Sequence, residues 1–252
     1  MSCDNEFHWT SAACTDVGPV RSRNEDAWLA LPRRGLWAVA DGMGGHAFGD
    51  LASRAVVDAL AALPPPAGMA DFIASAREGL VQVNATLRTD AAARHVPVMG
   101  STVVALLACG RETACLWAGD SRIYLYRQGR LQQLTRDHSQ AEELRARGAD
   151  AAAAVASPNM ITRAVGAADM IEFDVAPCAA RDGDVFLLCS DGLSNPVDEI
   201  AMTRVLAGGD CTQAAQELIA LALANGGRDN VTAVVVRAED LSADRTMLNP
   251  AL

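Results

Sequence analysis

Residues 186–193 read FLLCSDGL, and the sixth letter conflicts with the first four. Phe186, Leu187, Leu188 and Cys189 form a continuous apolar run, the pattern of a strand covered on both faces. Two residues further on stands Asp191, and a buried carboxylate without a partner is costly. The pattern recurs upstream, where LWAVADGMGG (36–45) ends an apolar run in Asp41 and CLWAGDSR (115–122) ends another in Asp120. Something must collect aspartates at the ends of buried strands.

With 252 residues, half of them hydrophobic, the chain has material for a full core, and one domain is the default at this length. Acids outnumber bases 31 to 21, a formal net charge of −10, and every base is arginine. That balance disfavours a nucleic-acid footprint, which needs a basic face, and the lack of lysine removes Schiff-base chemistry. The seven cysteines, at 3, 14, 109, 115, 178, 189 and 211, include no C-x-x-C pair and fall mostly in apolar runs. Buried reduced thiols are therefore expected, rather than a disulfide framework or a zinc site. No basic region followed by an apolar stretch opens the chain, and no window approaches the roughly 18 apolar residues of a membrane span. A soluble cytoplasmic protein is expected, with neither nucleic acid nor membrane as partner.

Strand patterns fall at 7–14, 26–31, 35–41, 101–109, 113–119, 122–127, 131–134, 171–176, 184–190 and 231–237. Helical spacing marks 49–63, 70–93, 139–148, 198–207 and 211–224, as in AAQELIALALA. RQGR at 127–130 reads as a hairpin turn, and LPPPAG at 63–68 as a connection between helices. Strands and helices cluster instead of alternating strictly, which favours α+β with largely antiparallel sheets. Residues 1–238 make one domain, and 239–252 a patternless tail.

The carboxylates can now be sorted. Asp41, Asp120 and Asp191 each follow an apolar run, Asp229 in GRDNVTAVVV stands just before a strand, and Glu25 and Asp26 in RSRNEDAWLAL open another. If these strand ends converge, like charges crowd one small volume, and cations must neutralise them. Oxygen ligands without a His or Cys cluster suit the hard ions Mg²⁺ or Mn²⁺. Taken singly, each Asp-Gly or Asp-Ser is better read as a turn.

Taken together, the segments resemble a family. TDVGPVRSRNEDA (15–27), VADGMGGH (39–46), GST (100–102), WAGDSRIYLYRQGRLQQLTRDHS (117–139), ITRAVG (161–166), FLLCSDGL and RDNVTAVVV (228–236) appear in the order and spacing of the protein phosphatase 2C family, bacterial branch. The resemblance covers roughly residues 8–237. It implies a metal-dependent Ser/Thr protein phosphatase with a four-layer αββα sandwich, two antiparallel sheets flanked by helices, and a small flap at about 139–162. By position, Asp41 is similar to the ligand bridging two metal ions, with Gly42 offering its carbonyl to one of them. Asp191 and Asp229 resemble ligands of the other ion. Glu25 would reach the first through water, Asp26 and Asn230 would support, and Asp120 resembles the ligand of a third, weaker ion. Arg21 falls where the family has its phosphate-binding arginine.

The chemistry suits these residue types. Two divalent ions roughly 3.5–4 Å apart lower the pKa of a bridging water, so that hydroxide can attack phosphorus in line near neutral pH. Arg21 offers a planar fork of donors to the non-bridging phosphate oxygens. Animal members place a histidine directly after the Asp-Gly, whereas here Met43 stands there and the histidine comes at His46. His46 is better read as a structural or substrate-orienting group than as the general acid, and a metal-bound water is the other candidate acid. Ser101 and Thr102 are expected to support the site by hydrogen bonds, and Asp182-Gly-Asp184 is a turn instead of a phosphoaspartate site. A catalytically dead binding module would lack a metal aspartate or the arginine. A two-metal enzyme acting on nucleic acid fits the acidic balance poorly. The implied partners are phosphoproteins, with a cognate Ser/Thr kinase and its targets, and the GLWAVADGMGGH form is compatible with relatives from type VI secretion loci.

Overall fold

The computed structural model describes residues 3, 6–43, 48–148 and 160–241. Among the described residues, eleven strands form two antiparallel sheets. The first sheet runs β1 (Phe7–Asp16), β11 (Val231–Asp240), β10 (Val185–Cys189), β7 (Arg122–Arg127) and β8 (Arg130–Gln133) in spatial order. The second runs β2 (Asp26–Leu31), β3 (Leu36–Met43), β5 (Val103–Cys109), β6 (Glu112–Ala118) and β9 (Asp174–Ala179), with the short β4 (Gly100–Ser101) on the end of β3. The sheets stack. Helices α1 (Gly49–Ala61) and α2 (Met69–Ala93) cover the second sheet, while α5 (Glu199–Leu206) and α6 (Cys211–Ala224) cover the first. α3 (Gln140–Ala146) and the single-turn α4 (Asp191–Ser194) complete the α-helices of the described residues. This is the expected αββα sandwich.

The layers explain the continuous apolar runs. Along β10, Val185, Leu187 and Cys189 pack toward α5 and α6, while Phe186 and Leu188 enter the layer between the sheets. A strand covered on both faces has no polar side, so period-2 alternation survives only as a choice between two cores. Trp9 and Trp37 meet in the inter-sheet layer with ring centroids 5.2 Å apart. The RQGR hairpin is a two-residue turn with Gln128 and Gly129 both at positive φ, 50° and 80°, the form that matches strand twist.

Two expectations change. The strand placed at 171–176 is β9 at Asp174–Ala179. Ile171 and Phe173 instead pack into the core beneath α1 and α2. β9 also accommodates Pro177, which an edge strand tolerates because one row of its backbone groups has no ladder partner. The cysteines are not all reduced: Cys3 and Cys109 form a disulfide, whereas Cys14, Cys115, Cys178, Cys189 and Cys211 are free. A pairing across 106 residues leaves no trace in local spacing. Of the flap, α3 and residues 160–162 are described, and 149–159 lie outside the described residues, as do His46 and residues 242–252; the tail expected from 239 begins later, because Glu239 and Asp240 still pair with β1 as the end of β11.

Candidate metal centre

The same alternation that builds the inter-sheet layer makes one end of it acidic. Trp37 and Val39 of β3 face the opposite sheet, so Asp41, next in the period, does too. Its register partner across β2 is Asp26. On the facing sheet, Phe186 and Leu188 are followed by Ser190, while Val236 and Val234 are preceded by Thr232. Both hydroxyls donate to Asp26 Oδ2 at 2.7 Å, joining the two sheets. The positions just before β5 and β7 supply Thr102 and Ser121, whose hydroxyls lie 2.7 Å apart. Thr102 Oγ1 accepts from the Asp41 amide at 3.0 Å, and the Thr102 amide donates to the Asp41 carbonyl at 2.9 Å. Ser101 Oγ donates to that carbonyl at 3.1 Å. Ser101 and Thr102 therefore support the site as expected.

Asp191 sits just beyond β10, where the chain turns at Ser190 into α4, and its Oδ2 accepts from Asn195 Nδ2 at 3.2 Å. Asp229 holds Arg21 in a bidentate ion pair, with Nε to Oδ1 at 2.8 Å and Nη2 to Oδ2 at 2.7 Å. Asn230 is 4% exposed and uses its whole carboxamide on the loop that carries Arg21. Its Oδ1 accepts from the Glu25 amide at 2.8 Å, and its Nδ2 donates to the carbonyls of Val17 and Arg23 at 2.8 and 2.9 Å. The structure thus brings together Arg21, Glu25, Asp26, Asp41, Gly42, Asp120, Asp191, Asp229 and Asn230. Thr15, whose hydroxyl lies 2.7 Å from that of Thr232, belongs to the network with Ser121, Ser190 and Thr232, and all four were missed, because a lone Ser or Thr beside an apolar run carries no signal until strand pairing is known.

The electrostatics record the crowding. Burial pushes Asp41 well above the usual carboxylate range, and repulsion from Asp26, Asp191, Asp120 and Asp229 adds to it. Burial raises Asp26 to about 7 despite the Thr232 and Ser190 hydroxyls, with Asp191 and Asp229 adding repulsion. Asp120 also rises to about 7, through burial and then the charges of Asp191 and Asp137. Asp191 is raised by burial and by Asp229, against hydrogen bonds from Asp41 and Asn195. Arg21 is raised chiefly by its hydrogen bond and charge contact with Asp229, and also feels Glu25 and Asp41.

As placed, no three His, Cys, Asp or Glu side chains among the described residues close into a ready coordination shell. The donor chemistry nevertheless suits a hard cation. Asp26 Oδ1 and Asp120 Oδ1 are buried without a hydrogen-bond partner, and oxygens are the only ligand atoms on offer among mutually repelling carboxylates.

Two glycines let backbone join this set. A Cβ on Gly42 would lie 2.0 Å from the Gly49 carbonyl oxygen and 2.7 Å from that of Glu25. A Cβ on Gly49 would lie 2.7 Å from Glu25 Oε1 and 2.8 Å from the Gly42 carbonyl oxygen. The Glu25 carboxylate and the Gly42 carbonyl are therefore gathered at the amino end of α1. Gly42→Ala is expected to cost about 1–3 kcal/mol by overpacking. That corresponds to roughly 2–4 °C of melting temperature per kcal/mol at this chain length. An unchanged melting curve would mean that this contact is not tight in solution.

Comparison with known proteins places this fold in a family. A family profile described as Protein phosphatase 2C matches residues 20–218, and the chain belongs to that family. It is 38% identical over 242 residues to the serine/threonine protein phosphatase PstP of Mycobacterium tuberculosis, covering 93% of this chain and 46% of that protein. The chain thus spans about half the length of that relative. A solved structure of PppA, described as a key regulatory component of T6SS in Pseudomonas aeruginosa, superposes with a TM-score of 0.86 at 44% identity, covering 92% of this chain and 98% of that one. The catalytic domain of PstP, crystallised in complex with two manganese ions, superposes with a TM-score of 0.82 at 37% identity, covering 93% and 100%.

Proposed function

We propose that the chain hydrolyses phosphoserine and phosphothreonine in proteins with Mn²⁺ or Mg²⁺ as cofactor. One observation carries the reading: the inter-sheet core, apolar along its length, ends in mutually repelling carboxylates with an arginine fork held over them. Asp41, the Gly42 carbonyl, Asp191 and Asp229 would hold two core ions, with Glu25 acting through water, Asp26 supporting, and Asp120 offered to a third, weaker one. When bound, such ions lower the pKa of a shared water and supply a nucleophile for in-line attack on phosphorus. The two-manganese complex of the PstP catalytic domain supports this assignment.

The chain's own residues do the rest. Arg21 presents Nε and Nη2 in one plane, the geometry that takes two oxygens of a phosphoryl group. Its loop is fixed by Asn230, and the fork, which rests on Asp229 in this structure, would turn to the phosphoryl group when Asp229 is given to a cation. Thr102 and Ser101 hold the Asp41 backbone from both sides. The leaving serine or threonine oxygen takes its proton from His46 or from water.

The expected substrates are phosphoproteins, the targets of a cognate Ser/Thr kinase. Likeness to PppA favours components of a type VI secretion system among them. No helix among the described residues is long and apolar enough to cross a membrane, and the proposed location is the cytoplasm. Phosphate release from a phosphothreonine peptide, with and without Mn²⁺, tests the function, and phosphoproteomics of a deletion strain tests the targets.

A further inference from the structure

α2 buries a stripe of Phe72, Ala76, Leu80, Asn84, Leu87 and Ala91, in which Asn84 alone is polar. Asn84 is 2% exposed. A carboxamide at such a position needs partners to offset its desolvation. It has them outside its own helix: Oδ1 accepts from the Gly166 amide at 2.6 Å, and Nδ2 donates to the Ala168 carbonyl at 2.9 Å. Gly166 has φ +89°, and a Cβ there would lie 2.1 Å from the Met99 carbonyl oxygen, so the turn is pressed tightly against its surroundings.

That turn ends an arm, residues 160–168, that runs past the centre. At its start, the Gln140 amide donates to the Met160 carbonyl and the Thr162 amide to the His138 carbonyl, both at 2.8 Å. Further along, Val165 and Ser101 exchange two backbone hydrogen bonds of 2.8 and 2.9 Å. Ser101 in turn donates to the Asp41 carbonyl. Between these ties, Arg163 pairs with Asp174 at 2.9 Å and lines a cleft of about 190 Å³ with Arg136, Glu142, Glu143 and Arg147. The arm thus carries Arg163, two residues before the Val165–Ser101 contact, and the 58% exposed Met160 at its start.

We propose that Asn84 is a positioning residue for protein substrates. By pinning Gly166 and Ala168 it sets the height of the arm beside Asp41, and the polypeptide around a phosphoresidue is received by the arm and its charged cleft. The proposal rests on the phosphoprotein phosphatase reading above. Thr102 holds Asp41 through two bonds that do not involve the arm. Loosening the arm therefore leaves the carboxylate cluster in place, and the effect falls on protein substrates.

The test compares Asn84→Ala and Asn84→Asp with the wild-type chain. For Asn84→Ala, kcat/KM on a phosphothreonine protein should fall by about 10- to 100-fold, mostly in KM, the scale on which misplacement of a positioning element acts. Hydrolysis of a small aryl phosphate and Mn²⁺ binding by calorimetry should stay within about threefold, a range that marks an undisturbed centre. Amide exchange should quicken at Val165 and Gly166 and stay slow in β5 and β10. Asn84→Asp keeps the acceptor for the Gly166 amide and should recover part of the loss. It also carries the comparison if Asn84→Ala does not fold. Equal losses on both substrates, lost Mn²⁺ affinity or unchanged kinetics on the protein would each overturn the proposal. A wild-type chain inactive on every phosphoprotein would instead defeat the reading beneath it, while slow exchange at Gly166 in the variant would defeat the anchor alone.

Discussion

Asp41→Asn is expected to lower turnover by more than the roughly 10–100-fold that loss of an outer hydrogen-bond partner of a metal site costs, and to weaken Mn²⁺ binding measured by calorimetry. In EDTA, however, the same substitution should raise the melting temperature. Asp41 is pushed well above the usual carboxylate range by burial and by four neighbouring aspartates, so its charge opposes folding when no cation offsets it. The sign follows from linkage: a carboxyl whose pKa is higher folded than unfolded favours the folded state when protonated, and that stability is lost as pH rises. With Asp26 and Asp120 both near 7 against about 4 unfolded, metal-free protein should lose stability between about pH 4 and 7. Added Mn²⁺ should restore it at neutral pH. Asp191→Asn should behave alike. A variant less stable in EDTA and unimpaired in Mn²⁺ binding would show that Asp41 is a structural acid.

Arg21→Ala should separate clamp from ligand. Arg21 is half exposed, and its two donors both rest on Asp229. Removing it takes away no candidate metal ligand, so Mn²⁺ affinity should be kept. Transition-state and substrate binding should fall on the order of 10²-fold in kcat/KM, by comparison with removal of one preorganised donor. Arg21→Lys should recover little, because an ammonium cannot present two coplanar donors. Loss of the ions in Arg21→Ala would instead mean that the arginine holds the loop of Glu25 in place, a task assigned here to Asn230.

Much of this was legible in the residues because the fold writes its layers into composition. Strands such as β5 and β10 are buried at every position, so they read as unbroken apolar runs, and each acid ending such a run marks the edge of the core. The carboxylates could therefore be found singly, and the family resemblance supplied their grouping. What escaped depends on contacts between distant segments. Ser190 and Thr232 acquire meaning only when stacking of the two sheets sets them against Asp26, 164 and 206 residues away. Asn84 reads as one more helical residue until Gly166 is seen against it. Cys3 gives no hint of Cys109. The shift of β9 has a different origin: Ile171 and Phe173 have the composition of a strand but are used as core plugs beneath the helices.

The central claim is that these carboxylates exist to hold divalent cations for phosphoryl chemistry. Phosphate release from a phosphothreonine peptide, followed in one sample before EDTA, after verified metal removal and after return of Mn²⁺ or Mg²⁺, tests it most directly. An oxygen-only donor set predicts release, then none, then release again. Full release by protein verified to be metal-free would contradict the account.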